Sequence, residues 1–389
     1  MGRARSSSPT ISEVAAAAGV GRATAARTLG GYGYVSAEMR ERVLAAAERL
    51  GYRANQLARS VSTGVSHTIG VVVADISNPF FGGVVRGVSE IASARGFDAL
   101  VISTYERLED EVAAVNVLVD KRVDGIILSS AACDPAATAH LQLARDQGIP
   151  LVLLDRLIPG LDLDAVVIDN RTAARTATTE LIKAGHTRIG FVWGPPIVER
   201  PRFRRELVDA AARNLWSDGE RLMGYLDALD DSGLPVDPEL VTVGPKTEEH
   251  AYEEVARMLE LPAPPTAFFC TETDAVTGTL HVLRESRIAI PDQVSVIGFD
   301  DSSWAAVMDP PLTMVEQPML DLGRRAADLL LARIDGEGSD SEGSETAYDA
   351  AGATGATGAT GAADRSGAET TQLELSARLI ERASVAPPP

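Results

Sequence analysis

The chain has 389 residues, enough for two or three domains, and its 45% hydrophobic content supplies sizeable cores. Its formal charge of −19 argues at first against a nucleic-acid partner, yet residues 1–66 carry nine Arg against four Glu, a local +5 that leaves −24 on the remainder. Two Cys, Cys133 and Cys270, exclude a disulfide framework and a Cys-rich zinc site, and both read as buried thiols.

The Arg/Ser-rich stretch Met1 to Pro9 has no apolar run behind it, which argues against an ordinary secretory signal. No later apolar run approaches the roughly 18 residues of a membrane span, so a cytoplasmic location without membrane contact is expected. From Thr10 the pattern is short and helical. Ile11, Val14, Ala15 and Ala18 share one face, and Gly19-Val20-Gly21 breaks the helix. A second helix runs from Arg22 to about Leu29. Ser36 caps a third, Ala37 to Leu50, with Glu38 near its positive end, and Gly51 stops it. Asn55 is placed to cap one more short helix, Gln56 to Ser62.

From Thr68 the texture changes to strands alternating with helices. Apolar runs stand at Ile69–Ala74, Ala99–Ile102, Gly125–Leu128, Leu151–Leu154, Ala165–Ile168, Ile189–Trp193, Ala267–Cys270 and Val294–Phe299. Unbroken β-branched runs separated by helices mean parallel sheets covered on both faces, and the count fits two smaller sheets. Two stretches break the pattern. Pro195 to Asn214 is rich in Pro and Arg. Gly336 to Thr370 is low-complexity, with too little apolar content to repay its ordering entropy, and is expected to be a disordered loop. Gln372–Ile380 beyond it reads as one more strand.

Thr10–Gly30, a helix, a tight Gly turn and a second short helix, has the form of a helix-turn-helix. The bland alternative is a three-helix scaffold with no nucleic acid. The whole chain decides between them by an ordered series of stretches: GYVSAEMRERVLAAAERLGYRANQLARS (Gly33–Ser60), TIGVVVADISNPFF (Thr68–Phe81), RVDGIILSS (Arg122–Ser130), GIPLVLLDR (Gly148–Arg156), AGHTRIGFVWGP (Ala184–Pro195), DGERLMGYLDAL (Asp218–Leu229), VSVIGFDD (Val294–Asp301) and PPLTMVEQP (Pro310–Pro318). In these the chain resembles the lactose/galactose repressor family of bacterial transcriptional regulators, almost throughout its length.

The resemblance implies an all-α helix-turn-helix headpiece (10–54), a hinge helix and linker (55–67), and an α/β two-lobed periplasmic-binding-protein-like domain for effector binding and dimerisation (68–335). The low-complexity loop (336–370) interrupts this domain before its last strand (371–384). In the headpiece, Arg22, Ala23 and Arg27 stand where the family reads the major groove, Thr24 where it holds phosphate, and Thr10 is a further DNA-contact candidate. Arg donates two bonds to a guanine edge, whereas Ala23 donates none, so specificity leans on Arg22 and Arg27. A phosphate or intramolecular partner for Arg27 is the alternative. The chain departs from its kin here: Gly21 stands where Ser usually caps the second helix, and Ala25-Ala26 replace a usual Val-Ser. In the hinge, Asn55 and Arg59 are DNA-contact candidates. Val61 is the minor-groove wedge in place of a usual Leu, and Ala54 replaces a usual Pro.

In the sensor, ligands of such folds sit at the carboxyl ends of the strands, between the lobes. Candidates there are Asp75, Asn78, Phe80, Asp155, Ser217, Arg221, Thr273, Asp274 and Asp300. By resemblance Arg221 is the strongest ligand contact, Asp155 and Asp300 accept from hydroxyls, and Thr273 replaces a usual Asn. Phe81 and Trp304 offer flat faces to a ring or pack in the core. Asp169-Asn170 reads as a helix start and His186 as structural. No Walker A, GxGxxG, HExxH or GxSxG pattern is present, so neither an enzyme nor a cofactor or metal is expected. The implied function is a homodimeric, sequence-specific repressor on a roughly palindromic double-stranded operator, controlled by a small polar effector. A sugar leads, and a purine or nucleoside is the alternative. A sugar-binding transport-type protein is the alternative of another class, and it has no use for the headpiece.

Overall fold

The computed structural model describes residues 9–30, 33–52, 65–132, 135–158, 160–194, 199–213, 217–336 and 370–389. The hinge candidates Asn55, Arg59 and Val61, the thiol of Cys133 and nearly all of the low-complexity segment lie outside them. The chain divides into two compact units, residues 1–67 and 68–389. Among the described residues no helix is long and apolar enough to cross a membrane.

The first unit holds α1 (Ile11–Ala18), α2 (Arg22–Gly30) and α3 (Ala37–Leu50). Each end has a local cause. The Thr10 hydroxyl accepts from Glu13 N (3.3 Å), while the Glu13 carboxylate accepts from Thr10 N (2.6 Å), a reciprocal capping box. Gly19 at φ 65° and Gly51 at φ 62° close α1 and α3 in the left-handed conformation. Val14, Ala15, Ala18, Ala25, Val43, Ala46 and Ala47 form the core. Five of the seven are alanines, which lets the three helices approach closely. Arg42 on α3 donates to Ala18 O (2.6 Å), placing a cation on the negative end of α1.

The second unit contains two sheets. The first has the order β10-β5-β4-β3-β1-β2 and is parallel throughout, from β1 (Thr68–Val73), β2 (Asp98–Ser103), β3 (Gly125–Leu128), β4 (Leu151–Leu154), β5 (Asp164–Ile168) and β10 (Gln372–Leu375). The second has the order β11-β9-β8-β7-β6, from β6 (Ile189–Val192), β7 (Ala267–Cys270), β8 (Ser295–Phe299), β9 (Thr313–Glu316) and β11 (Arg378–Ile380), with β11 antiparallel to β9. Around the first sheet lie α4 (Pro79–Ala94), α5 (Leu108–Asp120) and α6 (Ala139–Asp146). Around the second lie α7 (Asn170–Lys183), α8 (Arg204–Arg213), α9 (Ser217–Asp231), α10 (Glu248–Leu259), α11 (Thr273–Glu285) and short α12 (Ser303–Val307). The last helix, α13 (Met319–Asp335), returns to the first lobe and packs on α4. That crossing needs glycine: a Cβ at Gly323 would stand 2.0 Å from Val84 O, and one at Gly87 2.1 Å from Leu320 O.

The chain therefore passes between lobes three times, after β5, after β9 and after β10. The last passage corrects one expectation. Gln372–Ile380 is not one strand but two, β10 in the first sheet and β11 in the second, separated by Ser376-Ala377 at the crossover. Strand β9 is not marked by an apolar run, because Thr-Met-Val-Glu holds only two apolar residues and ends on a charge. Part of the Pro/Arg-rich stretch is also regular: Arg204–Arg213 is a helix with Leu207 and Ala211 buried, and Arg200 donates two bonds to the Glu254 carboxylate (2.7 and 2.8 Å). The expected loop 336–370 is described only at its ends, where Gly336 closes α13 at φ 75° and Thr370 is buried. His186 is structural. Its ring pairs with Thr266 Oγ1 (2.8 Å), Ser295 Oγ (2.9 Å) and Ala386 O (2.9 Å), fastening the C-terminal segment to the second lobe.

Candidate effector cleft and DNA-reading helix

In the headpiece, Arg22 and Ala23 are exposed at the first turn of α2 and Arg27 is exposed one turn later. Among the described residues no side chain caps this helix. Thr24 N and Ala25 N bond to Gly21 O (2.9 and 3.0 Å), so glycine at the cap leaves the first turn formed. Arg27 Nε donates to Ala23 O on its own helix (3.3 Å). Thr24 is half-buried, and its carbonyl accepts from Thr28 Oγ1 (2.9 Å). Thr10 caps α1, so its hydroxyl already has a partner in Glu13.

In the sensor, the carboxyl ends of the strands of both lobes carry buried charge. Asp155 and Arg156 follow β4, and they are 7% and 5% exposed. Arg156 donates to both Glu106 oxygens (2.7 Å each) and to Ser130 O (2.9 Å). On the second lobe Arg221 is held by Asn170 Oδ1 (2.8 Å) and Thr271 O (2.6 Å), with its guanidinium 3.9 Å from the centre of the Phe299 ring. Lys246 forms ion pairs with Asp218 and with Glu272 (3.0 Å) and lies 5.7 Å from the Trp193 ring centre. Asp300 follows β8 and accepts from Gln317 Nε2 (2.5 Å).

The electrostatics join the lobes. Burial raises the Asp155 carboxyl, and Arg156 on its own lobe and Arg221 on the other pull against that. Burial likewise pushes Asp300 to about 6, opposed by Arg221 and Gln317. Burial lifts Glu272 against the pull of Lys246. Burial disfavours the Lys246 ammonium, and the carboxylates of Asp218 and Glu272 overcome it and hold its pKa above the ordinary value. Backbone strain gathers at the same place. Tyr105, Glu106, Asp155, Trp193 and Asp300 all have positive φ, between 52° and 80°, and all follow strands. Each such residue costs about 1–3 kcal/mol, which the surrounding fold must offset.

The expected residues are distributed as follows. Asp155, Arg221 and Asp300 belong to this cluster. Ser217 is buried in the first turn of α9, beside Asp218. Asp75 accepts from Ser77 N and Ser77 Oγ (2.8 Å each), and Asn78 caps α4 through Phe80 N (3.0 Å). Phe80 and Phe81 are buried and meet edge to face at 4.9 Å. Trp304 is half-buried against the core of the second lobe. Thr273 begins α11 half-exposed and Asp274 is exposed; the member of that turn in the cluster is Glu272, one position earlier. Asp169 caps α7 as a helix start should, but Asn170 does more, since it holds Arg221.

Sequence reasoning missed Glu106, Asp218, Lys246, Glu272 and Gln317. Glu272 was open to discovery, because it stands two residues past the end of β7. Lys246 was not: it follows no strand, only an isolated bridge between Val241 and Phe191. A separate cavity of about 70 Å³, lined at the crossovers by Asp169, Thr172, Thr176, Ser376 and Arg378 among others, is too small for a sugar.

Comparison with known proteins agrees with this architecture. Residues 10–55 match the family described as bacterial regulatory proteins, lacI family, and residues 66–350 match periplasmic binding proteins and sugar binding domain of LacI family. The HTH-type transcriptional repressor CytR of Escherichia coli (strain K12) is 33% identical over 328 residues, 84% of this chain and 90% of that protein. The HTH-type transcriptional regulator GalS of Salmonella typhimurium is 34% identical over 322 residues, 83% of this chain and 89% of its own. A solved transcriptional regulator CelR-cellobiose complex is 30% identical with a TM-score of 0.64, covering 97% of this chain and 99% of the other. A helix-turn-helix headpiece, two parallel-sheet lobes and these matches together place the chain in the LacI family of bacterial regulatory proteins.

Proposed function

We propose that the chain is a homodimeric repressor that reads a roughly palindromic operator through Arg22 and Arg27 and senses a small polar effector between its lobes. The observation that carries the sensing role is the convergence of Asp155, Arg156, Arg221, Lys246, Glu272 and Asp300 at the strand ends of two lobes. Charges this deeply buried are costly for stability alone, so a ligand that completes their hydrogen bonds is the simplest reason to keep them. Arg221, Asp155 and Asp300 are its main contacts, with Ser217 and the Asp75–Phe80 turn at the margin. The cellobiose-bound relative supports a sugar as the effector class. The effector acts on DNA affinity only through its different affinities for the two lobe arrangements.

Two measurements test this reading. Selection from random-sequence DNA by the full-length protein should return an inverted repeat. A thermal-shift screen of sugars, nucleosides and polyols should find a ligand that changes binding to that repeat. Enrichment of no inverted repeat would overturn the dimeric operator reading. A ligand that raises the melting temperature without altering operator binding would overturn the regulatory one.

A further inference from the structure

The donors and acceptors of the cleft are unevenly spent. Arg156 gives Nη1 and Nη2 to Glu106 and Nη1 also to Ser130 O, and Lys246 is shared between Asp218 and Glu272. Arg221 gives Nε to Asn170 and Nη1 to Thr271 O, and among the described residues its Nη2 donates to nothing. The acceptors are in surplus. Asp155, 7% exposed, accepts no hydrogen bond from any described residue, and Arg156 Nε stands 3.5 Å away. Asp300, 5% exposed, receives one bond, from Gln317, whose own Oε1 is buried without a partner. Among the described residues, three cations (Arg156, Arg221, Lys246) face five carboxylates (Glu106, Asp155, Asp218, Glu272, Asp300). At the margin Asp274 feels the carboxylates of Glu272, Glu248 and Asp75, which adds more negative charge.

We propose that the effector presents a protonated amine on a hydroxylated scaffold to Asp155 and Asp300, and that the cleft rejects phosphorylated and acidic ligands. This rests on the effector-cleft reading above and narrows it. A neutral polyol would satisfy the acceptors but leave two uncompensated charges in a closed site. An anion would add a sixth carboxylate-like charge with one free guanidinium edge to receive it. A cation supplies donors and charge together. Burial raises the carboxyls of Asp155 and Asp300 more than the guanidiniums beside them lower them, and a bound cation would offset that burial.

The test uses full-length protein and matched triplets of hexoses, pentoses and disaccharides: the amino sugar, its neutral parent and the phosphate ester. Calorimetric titration at pH 7.5 should show an amino sugar binding at least tenfold tighter than its parent. The ester should not bind, and the tenfold advantage should vanish in the Asp155→Asn, Asp300→Asn double variant. A phosphate ester that binds as tightly as its parent and is lost with Arg221→Ala overturns the charge preference while keeping the cleft. Binding that survives Arg221→Ala overturns the cleft reading itself and the proposal with it.

If no triplet member binds, the unliganded variants decide. Asp155→Asn and Asp300→Asn should each raise the melting temperature by about 2 °C or more at pH 7.5, and the gain of Asp300→Asn should disappear at pH 5, below the value of about 6 at which that carboxyl takes up its proton. A gain of Asp300→Asn that persists at pH 5 reflects only the ease with which Asn adopts positive φ, and it overturns the proposal, as does no gain in either variant.

Discussion

Asp155 and Asp300 occupy matching positions in the two lobes: each is the first residue past the third strand from the crossover edge of its sheet, and their φ angles are 67° and 68°. The repeated strain aims two carboxylates from opposite lobes at one cleft. Both carboxylates feel the guanidinium of Arg221, and Asp300 also feels Asp155.

Asp300 should make stability depend on pH in a defined direction. Its folded pKa of about 6 lies above its ordinary 3.8. The folded protein therefore binds this proton more readily than the unfolded chain, and the stabilisation is complete below about pH 4 and lost as pH rises through 6. A shift of this size corresponds to on the order of 3 kcal/mol. Denaturant unfolding of wild type and Asp300→Asn at pH 4, 5, 6 and 7.5 should give a difference that grows in favour of the variant. A constant difference would show that Asp300 titrates normally.

Arg221→Ala should cost stability as well as effector response. The truncation leaves Asn170 Oδ1 and Thr271 O without their donor and removes the cation over Phe299. A loss of about 2–3 kcal/mol is expected. Arg221→Lys should recover part of the stability but not the response, because an ammonium cannot span Asn170, Thr271 and a ligand together. Urea midpoints for the three proteins, beside operator binding with and without effector, check both effects.

Glu111 should matter although it lies outside the cleft. It is fully buried, accepts from Ser130 Oγ (2.9 Å) and Ala131 N (2.5 Å), and pairs with His140 Nε2 (2.7 Å). The same turn offers Ser130 O to Arg156. Glu111→Ala strands three partners and should destabilise by about 3 kcal/mol or more, whereas Glu111→Gln should recover a good part of that. Equal losses in both variants, read from thermal unfolding, would show that the charge rather than the hydrogen bonds matters.

Arg22→Ala should reduce preference for operator over random DNA, by roughly 1–3 kcal/mol, through the loss of base-edge hydrogen bonds. A phosphate contact would weaken all sequences alike and flatten the salt dependence. Parallel titrations on operator and random duplexes separate the two, and equal losses would remove base reading from Arg22.

Local chemistry wrote much of this protein into its sequence. Caps at Thr10 and Ser36, stops at Gly19 and Gly51, and unbroken β-branched runs each act within a few residues, so the three headpiece helices and eight of the eleven sheet strands were legible. The strand-end rule also found Asp155 and Asp300, because an aspartate directly after an apolar run needs no tertiary information to be noticed. The remainder depended on crossings between lobes. Gln372–Ile380 reads as one run, and only the passage from one sheet to the other splits it into β10 and β11. Lys246 follows no strand, and Gln317 follows β9, whose two apolar residues do not mark it as a strand in the sequence. Their partners, Asp218 and Asp300, lie 28 and 17 residues away. Ion pairing and desolvation act through space across such separations, and only the folded lobes decide which charges meet and which remain unpaid.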